Sequence, residues 1–146
     1  MKRMTDLLFL FALCLSLVAC NSAGKINNAE IDYGSSAKYS EIEIISAVDV
    51  ALKKFKGFQG CELKRIWYDE EMSDRIIRLD MLSDGGNAIK NSGAEPEDLL
   101  ILFSDFKTSE SSAYDGFNSN FDYTGWKWIL ARDNKTDKWK VIEWGF

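Results

Sequence analysis

The chain has no histidine among its 146 residues. That removes the commonest general base, the Ser-His-Asp and Cys-His arrangements, and the usual zinc sites. Neither Gly-x-Gly-x-x-Gly nor a Walker-type glycine-lysine loop occurs, so the sequence offers no phosphate cradle. There is no basic cluster, and the net charge of −5 argues against nucleic acid and against electrostatic docking on anionic lipid. The longest apolar run falls short of the roughly 20 residues a membrane-spanning helix needs. What remains is 46% hydrophobic and 13% aromatic, a globular composition with room for one domain. Carboxylate pairs are plentiful, as in any acidic protein, and mean little without geometry. Asp105, just past an apolar run, is the acid to watch if a pocket exists. The reading is therefore non-enzymatic, with no cofactor and no metal.

The N-terminus carries the most specific signal. Lys2 and Arg3 precede an apolar stretch from Leu7 to Ala19, the proportions of a secretory signal. It closes on Leu17-Val18-Ala19-Cys20, which resembles the bacterial lipobox. The resemblance implies diacylglyceryl transfer to Cys20 and cleavage after Ala19. The alternatives are an uncleaved anchor, or an ordinary signal peptide with a chance cysteine. Residues 1–19 are then a lipoprotein signal peptide, 20–39 a lipidated N-terminus and flexible tether, and 40–146 the folded domain. The expected address is the extracytoplasmic face of the cell membrane, with the lipid on Cys20 as anchor. Cys14 leaves with the signal and Cys20 is modified, so Cys61 alone remains, unable to form an internal disulfide. It reads as a small buried hydrophobe.

Along the domain, Ser40 and Glu43 form a capping box. Ile44, Ile45, Val48, Leu52 and Phe55 then recur at helical spacing until Gly57. Glu43, Asp49, Lys53 and Lys54 occupy the opposite face. Cys61 to Tyr68 reads as a strand, with Leu63 and Trp67 in one phase and Ile66 and Tyr68 in the other. Asp69 caps a second helix whose apolar face is Met72, Ile76 and Leu79, ended by Asp84-Gly85-Gly86. Residues 87–96 read as loop. Leu99 to Phe106 is a near-continuous apolar run, the mark of a central strand.

The stretch from Thr108 to Tyr123 is irregular and mixes oxygen ligands with aromatics. Tyr114, Asp115, Phe117, Phe121 and Tyr123 are the candidate binding loop. Asn118, Asn120 and Asp122 offer alternating oxygens, but the glycine and bidentate glutamate of an EF-hand loop are missing. A plain surface loop pinned by its aromatics is the competing reading. The closing hairpin holds Trp126, Trp128, Trp139 and Trp144, four of the five tryptophans. Trp126, Trp128 and Leu130 share one face, and Ile129 and Ala131 the other. In the second strand, Trp139 and Val141 alternate with Ile142, Trp144 and Phe146.

This order of elements, the ending Trp-Lys-Val-Ile-Glu-Trp-Gly-Phe and the run Gly60-Cys61-Glu62-Leu63-Lys64-Arg65-Ile66-Trp67-Tyr68-Asp69 resemble small bacterial lipoproteins containing a domain of unknown function. The resemblance covers about Ser40 to Phe146. It implies a cystatin-like or nuclear-transport-factor-2-like α+β fold: one or two helices on a curved antiparallel sheet of about four strands. No catalytic residue comes with it, and the cystatin inhibitor loop Gln-x-Val-x-Gly is absent.

Three functions fit: a tethered domain binding a protein or envelope component, a small-molecule binder with a cavity between sheet and first helix, or a surface immunity or inhibitor lipoprotein. The anchor itself is directly testable. Cys20→Ala should abolish lipid labelling and leave the precursor uncleaved; an unchanged mass and membrane retention in that variant would remove the anchor.

Overall fold

The computed structural model describes residues 23–146, apart from Gly86, Asn134, Lys135 and the side chains of Tyr114 and Asp115. The signal peptide and Cys20 lie outside the described residues. Five strands form one sheet in the order of the sequence: β1 (Glu30–Asp32), β2 (Cys61–Tyr68), β3 (Leu99–Thr108), β4 (Asp122–Asp133) and β5 (Lys138–Gly145). β1 runs parallel to β2, and every other pairing is antiparallel. Three α-helices pack on this sheet: α1 (Glu41–Phe55), α2 (Glu70–Leu82) and α3 (Ala88–Ser92). The α+β expectation holds, but the sheet is mixed with five strands, not antiparallel with about four.

The additional strand comes from the segment read as tether. From Gly24 onward that segment is laid against the domain. The amide of Gly24 donates to the Lys56 carbonyl at 3.1 Å and that of Lys25 to the Cys61 carbonyl at 2.9 Å. Short polar sequence hid this because an exposed three-residue edge strand needs no apolar alternation.

The first helix begins as its sequence dictates. Ser40 Oγ accepts the Glu43 amide, and Glu43 Oε2 accepts the Ser40 amide at 2.8 Å. Its buried stripe of Ile44, Ala47, Val48, Ala51 and Phe55 lies on one face of the sheet. The second helix starts on Asp69, whose Oδ1 accepts the Met72 amide at 2.9 Å. Its fully buried positions are Ser73 and Ile77, and Leu79 is 62% exposed, which corrects the expected face. The reason is a backbone demand: β2 has ended there, and Ser73 Oγ takes the Ile101 amide of β3 at 3.0 Å. The expected loop 87–96 contains α3, capped by Asn87, which seats Ile89 in the same layer. β3, central and covered on both faces, is buried along almost its whole length.

Three β-bulges set which side chains face α1. Lys64 is the extra residue of β2, Thr124-Gly125 opposes Asp105 alone, and Ile142 is extra in β5. Each bulge inverts the alternation of its strand. Leu63 therefore shares the α1 face with Ile66 and Tyr68, and Trp67 stacks on Phe103 on the opposite face. Tyr123 joins Trp126 and Trp128 under α1. Trp144 pairs with Trp128 on that same side, not with Ile142 as strict alternation predicted. Asp105 serves the middle bulge, its Oδ1 accepting the Gly125 amide at 2.8 Å, with Gly125 at φ +68°.

At the centre lies Trp128, fully buried, with its indole N–H donating to the buried Ser104 hydroxyl at 2.9 Å. Ser104→Ala leaves that donor unpaired and should lower stability by about 1–3 kcal/mol in urea unfolding. The same change should cost less in a Trp128→Phe background. Equal costs in both backgrounds would remove the hydrogen bond from the account.

Candidate functional site

The end of the domain where α1 finishes collects its uncovered aromatic surface. After Phe55 the chain turns through Gly57, and Phe58 folds back under the helix, stacking on Trp128 with centroids 5.4 Å apart. Phe117 meets Phe58 at 5.0 Å and Trp126 at 5.7 Å. Lys53, Lys54, Gly57, Phe58, Phe117 and Trp144 line an open cleft of about 440 Å³. Lys54 Nζ sits 4.2 Å over the Trp144 ring, a cation–π contact at the rim. Phe146 continues the surface, stacking on Tyr123 at 5.8 Å and meeting Trp126 edge-on at 5.2 Å. Trp144 is 41%, Phe121 47% and Phe146 71% exposed. The Trp126 indole N–H is buried in this cluster with no hydrogen-bond partner among the described residues.

The loop named from sequence contributes unevenly. Its residues Glu110–Asp115 form a 3₁₀ turn, and Gly116 reverses the chain at φ +82°. The Thr108 hydroxyl holds the loop at both ends, donating to the Asn118 carbonyl at 2.6 Å and accepting the Phe121 amide at 2.8 Å. Phe117 and the buried Tyr123 are core-facing, whereas Phe121 is exposed and rests edge-on against Tyr123 at 5.0 Å. The side chains of Tyr114 and Asp115 lie outside the described residues. Among the described residues, no three of cysteine, aspartate and glutamate converge for a metal ion. Sequence reasoning missed Phe58, Trp144 and the two lysines as one surface. The available signal was Lys53-Lys54 closing a helix just before Gly57-Phe58.

Gly60 fixes the floor beside this end. It sits at φ +68°, and a β-carbon there would come within 2.5 Å of Ser109 Oγ. Cys61, expected to be a buried small hydrophobe, is 1% exposed with its Sγ 3.7 Å from Ser112 Oγ.

A larger, polar recess of about 560 Å³ lies at the start of α2, lined by Gly34, Tyr68, Glu70, Asp74 and Arg78 among others. Its carboxylates are committed to the chain itself. Glu70 takes the Ser36 hydroxyl and the Ala37 and Lys38 amides, and Asp74 takes Lys38 Nζ at 2.8 Å. The Ser36 hydroxyl above all holds Glu70 below the usual carboxylate range. Burial pushes the Tyr68 phenol up to about 12, so it is neutral at physiological pH. This recess ties the N-terminal segment to α2.

The opposite pole is organised by Arg132. It meets Glu43 at 2.8 Å, Asp137 at 3.3 Å and Asp98 at 3.7 Å, and lies 4.8 Å over Trp139. Tyr39 adds its hydroxyl, which contacts the Leu99 carbonyl at 2.6 Å. No family model, characterised protein or solved structure matches this chain.

Glu43 carries the pH dependence of this pole. The Ser40 hydroxyl first, then the Ser40 amide and Arg132, hold it below its ordinary 4.5. A carboxylate depressed in the folded state stabilises fully above its unfolded pKa, and that contribution is lost as pH falls through the folded value. Glu43→Gln should therefore flatten the loss of stability on acidification below about pH 4.5. An unchanged acid limb in denaturant titrations would contradict the assignment.

Proposed function

We propose that this chain is a lipid-anchored, extracytoplasmic binding domain without catalytic chemistry, whose contact surface is the aromatic, lysine-rimmed cleft at the end of α1. The observation that carries the reading is exposed Trp144 on the wall of a cleft in which Lys53 and Lys54 supply charge, with exposed Phe121 and Phe146 continuing that surface through Tyr123, Trp126 and Phe117. Exposed aromatics clustered in this way characterise recognition surfaces. The motif ending at Cys20 supplies the anchor. A cystatin-like or nuclear-transport-factor-2-like fold is part of this reading, which rests on the α+β architecture of a long helix packed on the sheet.

A small-molecule ligand is the second reading, favoured by one observation. The cleft volume of about 440 Å³ falls in the range of ligand pockets, roughly 300–1,000 Å³. Between the body of α1 and the sheet, Phe55, Phe106 and Trp128 are fully buried, so any ligand would sit at the helix end and not beneath it.

Photo-crosslinking in intact cells separates these surfaces. A crosslinker at position 121 or 144 should yield discrete envelope adducts, and one at position 137, at the Arg132 pole, should yield none. Equal labelling from both ends would remove the cleft as the site. For the second reading, a thermal shift of several degrees with envelope extract should disappear in Trp144→Ala.

A further inference from the structure

Gly24 and the cleft lie at the same end of the domain. Gly24 is packed against the α1 terminus so closely that a β-carbon there would collide with the Phe55 carbonyl oxygen. Cys20 is four positions before Gly24, with three residues between them, a span of about 14 Å at most when fully extended. Ala23 and Lys25 line a recess with Gly60, Cys61, Lys107 and Asn120. The sheet topology brings the start of β2, the end of β3, the start of β4 and the end of β5 to this same edge. The exposed aromatics and the cleft are therefore close to the point where the chain departs toward Cys20.

Charge is distributed to match. Lys25, Lys53, Lys54, Lys56 and Lys107 are exposed at this end, against Glu62, Glu110 and Asp122. Glu43, Asp98 and Asp137 gather around Arg132 at the other. The net charge of −5 conceals this polarity. Tryptophan and phenylalanine at a rim of lysines are suited to the headgroup layer, where aromatic rings sit at the interface and each lysine near an anionic surface adds about 1 kcal/mol.

We infer that this end of the domain rests on the lipid headgroups, with Trp144, Phe121 and Phe146 at the interface and the lysines on anionic phosphates. The inference rests on the lipid-anchor reading and names the membrane surface as the partner of the cleft. It replaces the flexible standoff with a short leash, and it reverses the expectation drawn from net charge.

The test uses the full chain isolated from membranes, with the mass of Cys20 read first so that anchor and orientation are scored separately. The protein is reconstituted in protein-free vesicles of phosphatidylethanolamine and phosphatidylglycerol containing headgroup-spin-labelled lipid. Trp144 emission should be quenched, and Trp144→Phe should remove most of that quenching. Lys53→Ala with Lys54→Ala, both on exposed positions, should weaken the effect roughly tenfold or more, at about 1 kcal/mol per lysine. A lipidated Cys20 without Trp144 quenching overturns the proposal. So does quenching that needs added envelope protein, which assigns the cleft to a protein partner. If Cys20 carries no lipid, the anchor reading fails, and sedimentation of the same chain with these vesicles decides the surface. Binding lost in the double-lysine variant retains the surface, and absent binding removes it.

Discussion

The structure depends on burying one aromatic layer beneath a single helix. Phe55 of α1 and, beneath the helix, Phe58, Phe106, Tyr123, Trp126 and Trp128 are linked ring to ring at 4.8 to 6.3 Å. Strict alternation cannot deliver that many large side chains to one face. The bulges at Lys64, Thr124-Gly125 and Ile142 resolve the conflict by inverting phase within β2, β4 and β5. Their local requirements are met by specific residues: Asp105 satisfies the Gly125 amide, and Ser104 satisfies the Trp128 indole. The aromatic layer is larger than α1 can cover. The excess emerges past the helix end as the cleft and its exposed rim, so the site is a consequence of how the core is built.

The legible features were those with a local chemical cause. The capping box at Ser40 and Glu43, the Asp69 cap, the apolar stripe of α1 and the central position of β3 follow from side chains acting on nearby backbone or from simple periodicity. The illegible ones depend on partners distant in sequence. Nothing around Leu63 announces that Lys64 will lack a cross-strand partner, and nothing around Val141 announces the same of Ile142, so simple alternation puts Trp67 and Trp144 on the wrong faces. Ser73 reads as an ordinary polar residue until β2 ends and leaves the Ile101 amide bare. The candidate loop was partly legible through its aromatics. The cleft was not, because Lys53-Lys54 and Trp144 are some ninety positions apart and meet only through a phase inversion.

The two poles of the domain differ in what their charges do. At the Arg132 pole, cation and carboxylates satisfy one another and fasten the start of α1 to the β4–β5 hairpin. At the other, Lys53 and Lys54 are exposed and line the aromatic cleft, Lys54 lying over the Trp144 ring. Mutual satisfaction is a stabilising arrangement, whereas a surplus of one sign next to uncovered apolar surface is suited to a partner. Because Gly24 packs at the second pole, beside the end of α1, the proposed partner and anchor lie on the same side.

The most direct measurement of that account is neutron reflectometry of the lipidated protein on a supported bilayer containing phosphatidylglycerol. The account predicts protein density continuous with the headgroup layer, with no hydrated gap and a thickness fixed by one orientation. A water layer between headgroups and domain, as a freely moving tether would give, would contradict it.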